Sequence, residues 1–200
     1  MYIEKIENIF KSRTGKPLGK YKRYGVMILL YKENGEDYII LEKRALTLRS
    51  QPGDICLPGG KIEQGETPLD TAIRETMEEL NVKTQDINYM GEMDYFISPY
   101  GTIMYPFVAS INYMPDNFSK DEVHSLFKVP VKYFIENPPI LYEMKIGPME
   151  LSGFPFHLIE GGEKYNFSKG SMPQYFYAYD DYVIWGFTAR IIKEFIELLK

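Results

Sequence analysis

The chain has 200 residues, 44% of them apolar and 26% charged, with a formal net charge of −5. That length suits one well-packed core, and the acidic balance argues against broad attraction to RNA or DNA, so a small soluble ligand fits better. Cys56 is the sole cysteine, which rules out an intrachain disulfide and a thiolate zinc site. No apolar run approaches the roughly 18 residues of a membrane span. With an acidic start in place of a signal peptide, these features predict a cytoplasmic protein with no membrane partner.

In chain order, Ile3, Ile6, Ile9 and Phe10 fall at helical spacing and predict a short amphipathic helix. Lys11, Arg13, Lys16, Lys20, Lys22 and Arg23 follow as a basic arm, read as a solvated segment rather than a phosphate or nucleic-acid contact. We take 1–20 as this helix and arm, and 21–200 as one domain. Strands are predicted over 25–31 and 37–43, joined at Asn34-Gly35, a strong hairpin signal. A helix over 68–80 has Thr67 to cap it, Pro68 at its first position and Asn81 to end it in a left-handed conformation. Further strands read at 89–97 and 102–111, helical turns at 122–127 and 131–135 around Pro130, and a strand or two between 140 and 159. Asp180-Asp181 marks a turn, and an amphipathic helix over 185–199 closes the chain. Strands and helices mix without regular alternation, so the fold class is α/β: a mixed sheet flanked by helices.

The chemistry concentrates on the helix at 68–80. At about 100° per residue, Glu75, Glu78 and Glu79 fall within an arc of roughly 100°, apart from the stripe formed by Leu69, Ala72, Ile73, Thr76 and Leu80. Alone, that pattern describes a solvated face. Upstream, however, Pro58-Gly59-Gly60 sets side-chain-free backbone beside the helix, where carbonyls and amides can approach a metal or a phosphate. Like charges at Glu75 and Glu79 repel, and a hard divalent cation relieves that repulsion.

Gly60, five residues, Glu66, seven residues, then Arg74-Glu75-Thr76-Met77-Glu78-Glu79-Leu80-Asn81-Val82 resembles the Nudix box. Thr76 stands where the family has a bulky apolar residue, and Asn81 where it has glycine. The resemblance implies an α/β/α sandwich and hydrolysis of a nucleoside diphosphate linked to a further group, with Mg²⁺ or Mn²⁺ as cofactor. It implies Glu75 and Glu79 as principal metal ligands, Glu78 as a further ligand or water-orienting carboxylate, and the Gly60 carbonyl as an additional ligand. Glu66 and Arg74 take bracing roles.

The flanks carry a finer resemblance. The run from Leu41 to Lys61, with Arg44, Leu48-Arg49-Ser50 and Leu57-Pro58-Gly59-Gly60-Lys61, is similar to the segment before the box in coenzyme A diphosphatases. Gln51, Asp54 and Leu57 depart from the usual histidine, glutamine and phenylalanine. Ile184-Trp185-Gly186-Phe187-Thr188-Ala189 is similar to a second segment of that family. The implied partner is coenzyme A or a CoA-like nucleoside diphosphate derivative, cleaved to 3′,5′-ADP and 4′-phosphopantetheine. Arg44, Arg49 and Lys61 are the candidate phosphate contacts, because a guanidinium matches phosphate oxygens in a fork.

Other residues read more plainly. Trp185 and the Tyr175–Tyr179 run suit strand or core packing before adenine stacking. His124 and His157 show no ligand spacing, and Cys56 reads as a small buried residue. Glu122 and Glu143 are each candidates for a carboxylate from outside the box. Hydrolysis of ADP-ribose, dinucleotides or nucleoside triphosphates stays open beside the CoA reading, as does a non-catalytic ligand sensor. Monomer and homodimer are both open.

Overall fold

The computed structural model describes residues 2–200. Its centre is β1 (Lys22–Glu33), which the Asn34-Gly35 turn folds back onto β2 (Glu36–Arg44). Both turn residues have positive φ (52° and 84°), the backbone that a two-residue hairpin of this type needs. After β2 come β3 (Ile55–Cys56) and β4 (Gly59–Lys61), then β5 (Asn88–Glu92), β6 (Phe96–Ser98), β7 (Thr102–Ile111) and β8 (Val123–Pro130). These eight strands make one sheet. It is mixed because β1 runs parallel to β7, from Lys22 opposite Thr102 to Tyr31 opposite Ile111, and antiparallel to β2 and β4.

Period-two alternation along the central strands sends side chains to opposite faces. Val26 and Ile28 of β1 and Ile39 and Leu41 of β2 enter one cluster, while Met27, Leu29 and Ile40 enter the other. Helix α2 (Pro68–Leu80) covers the second face with Ala72 and Leu80. The short helix α3 (Val131–Glu136) and helix α4 (Gly186–Glu197) cover the first face, through Phe134 on α3 and Ala189, Ile192 and Ile196 on α4. The result is a helix–sheet–helix sandwich, in which each fully buried Leu or Ile contributes about 1.5–3 kcal/mol. A separate antiparallel sheet of β9 (Ile140–Ile146), β10 (Gly170–Tyr179) and β11 (Tyr182–Trp185) sends Tyr177 and Ile184 into the same cluster as α4.

Local signals set the ends of α2. The Thr67 side chain accepts from the Asp70 amide and Asp70 accepts in return from the Thr67 amide; Pro68 starts the helix, and Asn81 ends it at φ 50°. Thr76 stands at an apolar position because its hydroxyl donates to the Ala72 carbonyl oxygen at 2.7 Å, leaving its methyl for the core. The hairpin at Asp180 (φ 49°) is present as expected.

Several expectations are corrected. Residues 123–127 are strand, not helical turns, and Glu122 lies in the turn before them: β8 pairs with β2 from Pro130 opposite Tyr38 to Val123 opposite Arg44, and that pairing overrides the local pattern around Pro130. The strand expected over 89–97 is two, β5 and β6, which pair with successive stretches of β7 and are interrupted at residues 93–95. Trp185 belongs to β11, and the last helix starts at Gly186 (φ 66°). Between 140 and 159 one strand forms, within the expectation, followed by a 3₁₀ turn at Phe156–Leu158. The N-terminal helix α1 (Tyr2–Phe10) forms as expected but buries none of its described residues. Among the described residues no helix is long and apolar enough to cross a membrane.

Candidate active site

The sheet and α2 meet at a pair of facing glycines. Gly25 of β1 stands opposite Gly60 of β4. A Cβ on Gly25 would lie 2.2 Å from the Pro68 carbonyl oxygen, so the bare position lets the start of α2 press onto the sheet. A Cβ on Gly60 would lie 2.2 Å from Cδ of Glu75, so the second bare position receives that carboxylate. Next to it, Gly59 (φ 152°) donates its backbone N–H to Oε2 of Glu79 at 2.9 Å. The Pro-Gly-Gly turn is therefore a cradle for two carboxylates one helical turn apart.

Arg74 organises the same helix. Its Nε and Nη2 grip both oxygens of Glu66 at 2.7 and 3.2 Å, while Nη1 reaches Glu75 at 2.8 Å and Glu78 at 3.0 Å. Glu66 also accepts from the Thr71 hydroxyl at 2.6 Å and from the Glu63 amide. The Arg74 guanidinium, with these donors, holds the Glu66 carboxyl down at about 2.

The carboxylates inside respond in the opposite direction. Burial, then the neighbouring charge of Glu42, raises Glu79 well above the ordinary carboxylate range. Burial also raises Glu75, although Arg74 opposes it. Glu42 of β2 is fully buried; it accepts a hydrogen bond from the Cys56 thiol at 3.1 Å, while its Oε2 has no hydrogen-bond partner. Burial raises Glu42 as well, and raises the Cys56 thiol beside it. An orphaned buried carboxylate oxygen next to a second buried carboxylate is costly unless a proton or a cation compensates it. Among the described residues, no three His, Cys, Asp or Glu side chains stand close enough together to hold an ion as placed. The donor chemistry nonetheless fits a hard divalent ion: Glu75, Glu79 and Glu122 border one cavity with Gly60, and the unpartnered oxygen of Glu42 lies beside Glu79.

That cavity holds about 650 Å³, within the usual range for small-molecule sites. Arg44 and Lys61 line it, so two of the three expected phosphate contacts share it with the acidic wall. Arg49 does not line it and is exposed on the following loop. Glu78 points outward, its side chain 56% exposed and paired with Arg74. Of the two carboxylates outside the box, Glu122 lines the cavity, whereas Glu143 is exposed on β9. Gln51, Asp54 and Leu57, the three departures from the CoA diphosphatase pattern, all line it. Trp185 lines it too, 44% exposed and stacked parallel on Phe176 with ring centroids 6.1 Å apart. It is a wall residue and not a core residue.

Sequence reasoning missed Glu42. The signal was available: on β2 it shares the face of Ile40, which is buried beneath α2, so an acidic residue at that parity is turned inward.

Comparison with known proteins adds the relationships. The NUDIX domain profile matches residues 21–139. A Caenorhabditis elegans protein named peroxisomal coenzyme A diphosphatase ndx-8 is 36% identical over 119 residues, covering 56% of this chain and 50% of that one. A Photorhabdus laumondii protein named as the Nudix hydrolase NudL is 26% identical over 185 residues, covering 90% and 86%. The chain spans about half the length of the animal coenzyme A diphosphatases it matches. A MutT/nudix family protein from Enterococcus faecalis superposes with a TM-score of 0.55 at 15% identity, over 98% of this chain and 69% of that one, a likeness of fold.

Proposed function

The chain belongs to the NUDIX family, and from that membership we propose that it is a divalent-metal-dependent diphosphohydrolase whose substrate is coenzyme A or a CoA derivative. The observation that carries this reading is a single cavity with Glu75, Glu79 and Gly60 on one wall and Arg44 and Lys61 beside them. A diphosphate repels a hydroxide nucleophile, so it needs both a cationic clamp and an activated water.

Glu75, Glu79 and the Gly60 carbonyl would hold Mg²⁺ or Mn²⁺, with Glu122 and Glu42 completing the acidic surround. When bound, the metal supplies charge neutralisation at the phosphate oxygens and lowers the pKa of a coordinated water. The protein's own groups do the rest. Arg74 holds Glu75 and the Gly59 amide holds Glu79, so only small side-chain shifts separate these carboxylates from a shared ion. Arg44 and Lys61 draw in and orient the diphosphate. Trp185, flat against Phe176, offers an exposed ring at the cavity wall for the substrate's base. Support for CoA among diphosphates comes from the matching flanks around Arg44 and Trp185 and from the ndx-8 relative.

The test is turnover of CoA beside ADP-ribose, NADH, diadenosine polyphosphates and nucleoside triphosphates in Mg²⁺ and in Mn²⁺, with products resolved by chromatography. Preference for CoA with release of 3′,5′-ADP supports the reading. Preference for another diphosphate removes the CoA assignment and keeps the chemistry. Absence of turnover on every substrate, with ligand binding retained, replaces the enzyme by a sensor.

A further inference from the structure

Strand β9 is the edge of the small sheet: among the described residues it pairs with β10 alone. It is exposed on both faces. Ile140 is 69%, Leu141 53% and Tyr142 64% exposed, and Met144 also counts among the exposed apolar side chains. Residues two apart share a face, so Ile140, Tyr142, Met144 and Ile146 form an apolar ladder on one side. Leu141, Glu143 and Lys145 stand on the other. A long apolar edge of this kind is an open template for strand pairing, and proteins blunt such edges or cover them.

The strand's charges identify what covers it. Two copies of one strand can pair antiparallel only in registers centred on a residue, since otherwise outward-pointing backbone groups meet inward-pointing ones. A register centred on Glu143 sets glutamate against glutamate, and one centred on Lys145 sets lysine against lysine. Centred on Met144, the strand is self-complementary: Glu143 faces the partner subunit's Lys145, Lys145 faces the partner subunit's Glu143, and Tyr142 faces the partner subunit's Ile146. Opposite charges directly across an antiparallel pair stabilise it and like charges do the reverse. We propose that β9 is a homodimer interface, pairing with a second copy of itself in the register centred on Met144.

The resulting sheet is continuous across an isologous two-fold contact, and the apolar ladder runs unbroken through it. The contact also reaches the site. Met144 lines the catalytic cavity, and its sulfur accepts from the Tyr100 hydroxyl at 3.3 Å. In this register the partner subunit's Met144 lies directly across from it, so each subunit flanks the cavity mouth of the other. A two-fold pair with one aromatic–aliphatic step and one ion pair on each side is a small, specific contact, and it depends on charge order.

Sedimentation of the full chain and of charge variants tests the register. The unaltered chain is expected as a dimer of about twice its 23.4 kDa mass. Glu143→Lys and Lys145→Glu each raise the dimer dissociation constant by about ten-fold or more, because both copies of the ion pair become like-charge pairs. The double exchange Glu143→Lys/Lys145→Glu restores the original value. Both positions are exposed, and circular dichroism confirms that the variants fold. As a second readout, Met144→Cys cross-links into a disulfide dimer on oxidation, whereas Leu141→Cys, which faces residue 147 in this register, does not. A monomer throughout, a dimer indifferent to the exchanges, a double exchange no better than the singles, or cross-linking through Leu141→Cys overturns the proposal. None of these outcomes depends on which substrate the enzyme hydrolyses.

Discussion

Gly60 and Glu75 interlock so closely that one carbon added to the glycine would lie 2.2 Å from the carboxylate carbon. Glu75 is thus seated by the absence of a side chain on a neighbouring strand as much as by the Arg74 guanidinium at 2.8 Å. Helix, turn and strand are coupled through that contact.

Gly60→Ala is therefore expected to move Glu75 rather than to unfold the domain, since Glu75 is one flexible side chain on a capped helix. A displacement of about 1 Å at a catalytic group costs on the order of a hundred-fold in rate. Steady-state kinetics should register a fall of that order in kcat, with the thermal midpoint lowered by only a few degrees. A variant with unchanged kcat would mean that the carboxylate works from another position.

Glu79→Gln separates catalysis from stability. Glu79 is buried beside Glu42, whose Oε2 has no hydrogen-bond partner, and the Glu79 carboxylate is destabilised by both burial and charge. The amide keeps the shape and removes the repulsion, so the metal-free variant should melt no lower than the parent, and by calorimetry somewhat higher. Turnover should fall by about a hundred-fold or more, and the stabilisation gained from added Mg²⁺ should shrink with it. If the variant hydrolysed CoA at the parent rate, Glu79 would have no role in the reaction.

How much of this was legible beforehand follows from the range of each interaction. Helix α2 was readable to its ends because Thr67, Pro68 and Asn81 act locally, and the β1–β2 hairpin because Asn34-Gly35 does. Strand β8 was not, because its conformation is set by pairing with β2, a segment some 85 residues away in the chain. The spacing of Glu75, Glu78 and Glu79 put all three on one arc, but only the packed structure separates them. Glu75 and Glu79 turn to the cavity while Arg74 draws Glu78 outward. Glu42 escaped notice because its partners, Cys56 and Glu79, come from other elements.

Arg44 and Arg49 came from the same stretch of sequence as equal candidates, and the fold makes them unequal. Arg44 lines the cavity and has a buried Nε without a partner; Arg49 is exposed beyond the lining. Arg44→Ala is expected to raise KM for the diphosphate by about ten-fold or more, the weight of a charge-assisted phosphate contact. Arg49→Ala should leave KM within about two-fold. Equal losses in both variants would place the phosphates on the loop outside the cavity.

Glu66 offers a test by pH. Its carboxyl is held near 2 by Arg74, Thr71 and the Glu63 amide, against 4.5 for the free group. A folded-state value below the unfolded one means that folding is favoured by the ionised form. The stabilisation is complete above 4.5 and is lost as pH falls toward 2. The difference in thermal midpoint between the parent and Glu66→Gln should therefore be constant from neutral pH to about 5 and should shrink below that. Turnover responds differently, because Glu66 acts only through Arg74. Losing one of its three carboxylate partners, Arg74 should hold Glu75 less firmly, and kcat should fall by a few-fold at neutral pH while KM barely moves. A midpoint difference that persisted unchanged down to pH 2 would show that the Glu66 carboxylate, as a charge, does not brace the helix.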